Sequence, residues 1–103
     1  MKKQITLNYL QEYIKAKDHN PKLKHAYFMK LVEEVGEVGR VLMKNDFKGG
    51  KFRLAETGNI KDTLEEELYD VLYYALALAN VYDVDMEKCF YLKEKINKVK
   101  YTN

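Results

Sequence analysis

The stretch "MKLVEEVGEVGRVL", residues 29–42, carries the pattern that decides the fold. Its apolar residues return every three or four positions, which is the period of an amphipathic α-helix. Glu34 and Glu37 share that spacing and therefore stack on one face of the helix. The same face continues into Val38 and Val41. The stretch predicts a helix with two carboxylates on the side that it buries.

A second acidic pair lies in "EEELYDVLYYALALAN", residues 65–80, where Glu67 and Asp70 are again three positions apart. Asp70 begins a stripe that continues through Tyr74 and Ala77 at helical spacing. Acidic residues on helices usually lie on solvated faces, and this reading suffices for the neighbouring glutamates. A carboxylate on a buried stripe costs free energy unless it is paired or bound to a cation. The second pair therefore needs a partner.

Composition restricts the class of protein. The chain has 103 residues, with 47% apolar residues, 33% charged residues, one proline and a net charge of +2. This suits one domain spanning 1–103 and is too mild a charge to indicate a stable nucleic-acid complex. Cys89 is the only cysteine, which rules out an intramolecular disulfide and a thiolate metal cage. The opening "MKKQITLNYL" lacks the apolar core of a secretion signal, so we expect a cytoplasmic protein.

Four helices account for the chain, which predicts an all-α, four-helix, bundle-type domain. The first two cover about residues 6–17 and 22–44 and are separated by a turn at Asn20-Pro21. Thr63 and Glu66 form a capping box that starts the third helix, which continues to about Tyr82. Asp83 or Asp85 caps the fourth helix, whose inner face we expect to carry Met86, Cys89, Phe90, Ile96 and Val99. The glycine-containing segment 45–60 reads as a loop whose role is open.

The third helix is apolar on nearly every side between residues 71 and 81. This run is too short to cross a bilayer, so we expect no membrane span. A bundle of four short helices also cannot easily cover every side of this apolar run. A second copy of the chain would cover the remainder, and we expect a homodimer or homotetramer.

If the second and third helices pack with their acidic faces together, four carboxylates converge: Glu34, Glu37, Glu67 and Asp70. Without a counter-charge, their repulsion would keep one or more protonated. A hard divalent cation removes the repulsion, and oxygen ligands favour Mg²⁺, with Mn²⁺ as a substitute, over zinc. A salt bridge from Arg40 to Glu37 is the local alternative, but it leaves the second pair unanswered.

A di-iron bundle is a competing interpretation, because it also places carboxylates inside a helical bundle. That chemistry normally uses Glu-x-x-His on two helices. Neither His19 nor His25 stands three residues after a glutamate, and both precede the acidic motifs. The sequence therefore argues against a di-iron centre.

The ordered acids, together with the chain's end, resemble a known family. Glu33-Glu34-x-x-Glu37 followed by Glu67-x-x-Asp70 is similar to the signature of MazG-like all-α nucleoside triphosphate pyrophosphohydrolases. The closing "KEKINKVKY", residues 93–101, resembles that family's Lys-x-x-x-Asn-x-x-Lys-Tyr pattern. The resemblance covers about residues 30–101 and is poorest between the two acidic motifs.

The resemblance implies hydrolysis of a nucleoside triphosphate between its α and β phosphates, giving the monophosphate and pyrophosphate in nucleotide-pool housekeeping. It assigns the Mg²⁺ to the four converging carboxylates. Glu33 becomes a candidate to orient or deprotonate the attacking water, with Glu37 as the second candidate catalytic residue. Tyr74, Lys93 and Asn97 become candidate substrate contacts. Each also has a plain structural reading, as an exposed glutamate, a core tyrosine or a residue of a solvated helix.

Two departures from the family pattern affect the substrate. The gap between Glu37 and Glu67 is long, and the chain has no tryptophan to stack on a base. An aromatic residue would have to take that place, the candidates being Phe47, Phe52, Tyr9 and Tyr13. The base therefore stays open. A non-catalytic helical module for oligomerisation or nucleotide binding is the alternative function.

Overall fold

The described residues form four α-helices, and their order follows the prediction. The computed structural model describes residues 4–45 and 60–102, and side chains over 4–44 and 60–98. The helices are α1 (Leu7–Lys17), α2 (Lys24–Asn45), α3 (Leu64–Val81) and α4 (Met86–Thr102), with a 3₁₀ turn at Pro21–Leu23 before α2. The architecture is all-α, as predicted. Residues 46–59 of the segment predicted as a loop, which include Phe47 and Phe52, lie outside the described residues.

The first helix is fixed at both ends by its own sequence. Thr6 precedes it, and its hydroxyl oxygen accepts a hydrogen bond from the Tyr9 N–H at 3.0 Å. Asp18 ends it, donating its N–H to the Ile14 carbonyl at 2.7 Å. Asn20 then accepts from the Lys22 N–H at 3.1 Å, across Pro21 in the first position of the 3₁₀ turn. These bonds place α1 and α2 on either side of a short, rigid turn.

The cap of α3 differs in one bond from the predicted capping box. The Thr63 hydroxyl accepts from the Glu66 N–H at 3.2 Å, as predicted. The Glu66 carboxylate, however, accepts from the N–H of Asp62 at 3.0 Å and not from that of Thr63. The reason is that the Thr63 N–H already donates to the Ile60 carbonyl at 3.1 Å. Asp62 adopts a φ of 62°, a left-handed conformation that Asp tolerates.

The start of α4 distinguishes between the two predicted caps. Asp85 is the cap, because its carboxylate accepts from the Lys88 N–H at 3.0 Å. Asp83 instead adopts a φ of 56° in the turn after α3. The side-chain amide of Asn8 donates to Glu87 at 2.6 Å and so joins α1 to the first turn of α4.

Helices α2 and α3 form the main antiparallel pair. Lys30 of α2 lies over the ring of Tyr74 of α3, and Glu34 of α2 lies beside Asp70 of α3. The residue numbers therefore rise by four along α2 while they fall by four along α3, as antiparallel packing requires. The hydrophobic core lies where α1 packs against this pair, and its buried side chains come from α1, α2 and α3. They are Ile14, Tyr27, Leu76, Ala77 and Val81.

Asn80, the polar residue at the end of the apolar run, has a buried partner. Its carbonyl oxygen accepts from the Gln11 side-chain amide at 2.9 Å, and its own amide donates to the Gln11 backbone carbonyl at 2.9 Å. Gln11 also donates to the Val84 carbonyl and accepts from the Met86 N–H. The two amides thereby lock α1 to the α3–α4 turn.

Among the described residues, most of the exposed large apolar side chains lie on α2, α3 and α4. The α4 face predicted to be internal is only partly covered: Met86 and Cys89 are half-buried, whereas Phe90 and Ile96 are 54% and 59% exposed. The side chain of Val99 lies outside the described side chains. The prediction failed there because α4 packs on α1 and not across the α2–α3 pair. Exposed apolar residues of α2 and α3 include Phe28, Val32, Val35, Leu68 and Leu72.

Among the described residues, no helix combines the length and the apolar character needed to cross a membrane.

Candidate metal centre

Three carboxylates from the two central helices meet at one point. Glu34 of α2 and Glu67 and Asp70 of α3 each present an oxygen, and these oxygens lie within 4.8 Å of one another. We call these three residues the acidic cluster. Helical spacing brings Glu67 and Asp70 to one face of α3, and the antiparallel packing of α2 supplies Glu34. The predicted convergence thus joins three of its four members.

Burial makes this cluster unfavourable for three bare charges. Glu67 is only 6% exposed, and Glu34 and Asp70 are half-buried. Burial is the main cause that raises the pKa of each of the three carboxyls above its ordinary value. The charge of Asp70 raises the pKa of both glutamates further. The site therefore favours either bound protons or a bound cation.

Glu37, the fourth predicted ligand, lies outside this group. Arg40 donates its Nε–H to the Glu37 carboxylate at 2.8 Å, which is the salt bridge anticipated as the local alternative. Glu37 is still close enough for its charge to raise the pKa of Glu67. Arg40 therefore holds Glu37 at the edge of the acidic cluster.

Glu33 and Tyr74, two further predicted site residues, lie on α2 and α3 next to members of the acidic cluster. Glu33 is exposed and lies 3.5 Å from the ammonium of Lys30, as in its plain reading as a surface residue. Tyr74 is half-buried, one turn after Asp70, and its pKa is raised mainly by burial. Its ring faces the Lys30 ammonium at 5.8 Å.

Lys30 is the residue that sequence reasoning missed. Its charge lowers the pKa of both Glu34 and Asp70, which makes it a cation beside the acidic cluster. The signal was present, because Lys30 precedes Glu34 by four positions and so lies one helical turn away. One ammonium group cannot neutralise the charge of three carboxylates. The Lys30 ammonium also forms a salt bridge with Glu33.

The candidates on α4 are not joined to the acidic cluster within one chain. Lys93 is exposed and Asn97 is half-buried. Over the part of the chain that the structure describes, neither is recorded in a hydrogen bond or ion pair with a cluster residue. Of the aromatic candidates for base stacking, Tyr9 and Tyr13 stack on each other along α1, with ring centres 6.4 Å apart.

The donor set fits a hard cation. All three clustered ligands are carboxylates, and the group contains neither cysteine nor histidine. His19 and His25 precede Glu34 in the chain, and neither belongs to the acidic cluster. Buried carboxylate oxygens without nitrogen or sulfur ligands suit Mg²⁺ or Mn²⁺. Their raised pKa values mean that the deprotonated carboxylates are unfavourable in this site, and a bound cation would stabilise them.

Comparison with known families and structures agrees with this arrangement. The model of the MazG nucleotide pyrophosphohydrolase domain matches residues 23–101. That span contains both acidic motifs and the whole α2–α3 pair. No curated protein sequence matches the chain.

Solved structures similar to this chain include crystal structures of iMazG from Vibrio DAT 722. The N-terminally tagged form is 44% identical, with a TM-score of 0.80, over 96% of this chain and 100% of the iMazG chain. A C-terminally tagged form is also 44% identical, with a TM-score of 0.78, over 91% of this chain and 99% of that one. The fold and the family match therefore rest on nearly the full length of both chains.

Proposed function

Since the chain belongs to the MazG family of nucleotide pyrophosphohydrolases, we propose that it cleaves nucleoside triphosphates between the α and β phosphates. The products would be the nucleoside monophosphate and pyrophosphate, in the housekeeping of a cytoplasmic nucleotide pool. The observation that carries this proposal is the convergence of Glu34, Glu67 and Asp70 within 4.8 Å. A triphosphate needs such a site because its own charge must be balanced by a cation.

We propose Mg²⁺ as the cofactor, held by the acidic cluster, with Glu37 as a fourth ligand once it leaves Arg40. When bound, the cation neutralises charge on the phosphate oxygens and polarises the phosphorus centre. Mn²⁺ is a possible substitute, since it accepts the same oxygen ligands.

The remaining residues of α2 and α3 would act on the substrate and the water. Glu33 lies next to Glu34 but outside the cluster, so its carboxylate is available to orient an attacking water or to accept its proton. Tyr74 presents its ring and hydroxyl beside Lys30. This contact supports a role for the Tyr74 ring against the sugar and for the Lys30 ammonium against the outer phosphates of a nucleotide.

We propose that the enzyme is a homodimer or homotetramer, with a second copy completing the site. Exposed apolar residues on three helices provide a surface for it, among them Val35 and Phe90, both 54% exposed. Gly36 and Gly39 support close approach of a second helix, since within the described part of the chain no atom lies within 4 Å of a Cβ built at either one. Lys93 and Asn97 would then reach the acidic cluster of the partner, because α4 does not pack across the α2–α3 pair of its own chain.

A substrate panel tests the reaction. Purified protein is incubated with each common NTP and dNTP and Mg²⁺, and phosphate and pyrophosphate are measured separately. We expect pyrophosphate, without free phosphate, from at least one substrate, and Glu67→Gln should abolish the release while the helical circular dichroism persists. A panel with no turnover under Mg²⁺ or Mn²⁺ would favour the non-catalytic module instead.

Subunit mixing tests the completion of the site by a second copy. Glu67→Gln and Lys93→Ala are each expected to be inactive as pure proteins. If Lys93 acts across the interface of a dimer, refolded mixtures regain roughly a quarter of wild-type activity, from hybrids with one intact site. A mixture that stays inactive, although hybrids form, places Lys93 in the site of its own chain, and full activity of pure Lys93→Ala places it outside the site.

A further inference from the structure

One carboxylate ties together three helices close to the acidic cluster. Asp18, at the end of α1, accepts a hydrogen bond from the Tyr27 hydroxyl of α2 at 2.8 Å. Its second oxygen lies 3.4 Å from the Tyr73 hydroxyl of α3, a longer hydrogen bond. The Tyr27 hydroxyl also accepts from the Asn20 N–H at 3.0 Å, so the turn before α2 is tied to the same group.

These tyrosines share faces with the cluster residues. Tyr27 precedes Glu34 by seven positions, about two helical turns, and so lies on the same face of α2. Tyr73 follows Asp70 by three positions, about one turn along α3. The Asp18 carboxylate therefore bridges α2 and α3 within two turns of the point where their acidic residues meet.

The bridge also reaches the ring proposed to face the nucleotide. Tyr73 packs edge-on against Tyr74, with ring centres 5.0 Å apart and planes at 73°. Burial and the charge of Asp18 raise the pKa of Tyr73 to about 12. Its hydroxyl therefore remains a donor at neutral pH and keeps its bond to Asp18.

We propose that Asp18 is a positioning residue for the metal centre, an inference that rests on the proposed function. By accepting from Tyr27 and Tyr73, it fixes the separation and rotation of α2 against α3. That geometry sets the distance from Glu34 to Asp70. Mg²⁺ is sensitive to this distance because it demands near-ideal octahedral ligands, whereas Ca²⁺ tolerates longer and less regular coordination.

Asp18→Asn tests the proposal without a change of side-chain shape. Asparagine replaces one of the two carboxylate oxygens, which the hydroxyls bind separately, by an NH₂ group and removes the charge, so the bonds that remain are neutral and weaker. Binding of Mg²⁺ and of Ca²⁺ to the full-length protein is measured by calorimetry without nucleotide, at a temperature where circular dichroism shows the variant folded. We expect Mg²⁺ affinity to fall about tenfold, the lower end for groups that orient metal ligands. The affinity for Ca²⁺ should fall less.

Two controls separate positioning from loss of charge or stability. Asp85→Asn removes a carboxylate elsewhere but keeps an equally good helix cap, and its Mg²⁺ affinity should equal that of the wild type. Tyr73→Phe removes only the longer bond to Asp18 and should weaken Mg²⁺ in the same direction. It also serves if Asp18→Asn does not fold.

The outcomes are distinct. An unchanged ratio of Mg²⁺ to Ca²⁺ affinity in folded Asp18→Asn or Tyr73→Phe, while the wild type binds Mg²⁺, overturns the positioning role and leaves the proposed function intact. A wild type that binds no Mg²⁺ refutes the metal centre and this inference with it. In that case Asp18→Asn and Asp85→Asn would both be indistinguishable from the wild type.

Discussion

Arg40 donates its Nε–H to the Glu37 carboxylate at 2.8 Å, and this bond separates Glu37 from the three carboxylates beside it. The two residues are three positions apart on α2, and both side chains are partly exposed. An exposed pair of this kind is worth at most about 1 kcal/mol. A cation at the acidic cluster can therefore compete for Glu37.

Freeing Glu37 should strengthen metal binding. We expect Arg40→Gln to raise Mg²⁺ affinity by about twofold to fivefold, the equivalent of the lost exposed pair. Calorimetry of the wild type, Arg40→Gln, Glu37→Gln and the double variant measures the coupling. If Arg40→Gln raises affinity equally with Glu37 and with Gln at position 37, the effect is a general change of charge and Glu37 is not a ligand.

Metal binding should stabilise the fold through the acidic cluster. A ligand at one hundred times its Kd adds about 2.7 kcal/mol to the free energy of unfolding. In a chain of this size, each kcal/mol raises Tm by about 4–8 °C. We expect Mg²⁺ to raise the Tm of the wild type and Asp70→Asn to remove the increase, with Asp85→Asn as the matched control. A full Mg²⁺ response in Asp70→Asn would locate the cation elsewhere.

Without metal, stability should decline as pH rises above the ordinary range of carboxyl groups. The folded state raises the pKa of Glu34, Glu67 and Asp70. It therefore holds more protons than the unfolded chain, from about pH 4 up to these raised values. The stabilising effect of bound protons is complete at low pH and is lost as pH rises through the folded-state pKa values.

Urea denaturation in EDTA at a series of pH values measures this decline. Glu67→Gln should flatten it, because glutamine binds no proton in either state. Saturating Mg²⁺ should reverse the dependence, since the cation requires deprotonated carboxylates. Parallel curves for the wild type and Glu67→Gln in EDTA would contradict the raised pKa of Glu67.

The pair of buried amides should act as one unit in stability. Gln11 and Asn80 are both 7% exposed and exchange two hydrogen bonds of 2.9 Å. Asn80→Ala removes the partner of one buried N–H of the Gln11 amide, whose bonds to Val84 and Met86 remain, and this costs about 1–3 kcal/mol of unfolding free energy. We expect the double variant with Gln11→Ala to lose clearly less than the sum of the single losses in urea denaturation. Additive losses would mean that the two amides act independently.

Much of the fold and of the site could be predicted from local spacing. Positions three and four apart brought Glu67 and Asp70 together on α3, and the predicted cap at Thr63 gave the start of that helix. The proximity of Lys30 to Glu34 follows from the same spacing, whereas its effect on Asp70 depends on the packing of α2 against α3.

Long-range relationships were beyond the reach of such patterns. Asp18 and Tyr73 are separated by 55 residues, and nothing near either one predicts their contact. The choice of Glu37 between Arg40 and the acidic cluster depends on a small free-energy difference. The exposed face of α4 is set by its packing on α1, which helical periodicity does not encode.

Anomalous diffraction from crystals grown with Mn²⁺ and a non-hydrolysable triphosphate analogue tests the central claim most directly. The account predicts a manganese peak within coordination distance of carboxylate oxygens from Glu34, Glu67 and Asp70, with the analogue's phosphates beside it. A manganese peak bound only by other residues, with these three side chains free of metal, would contradict it.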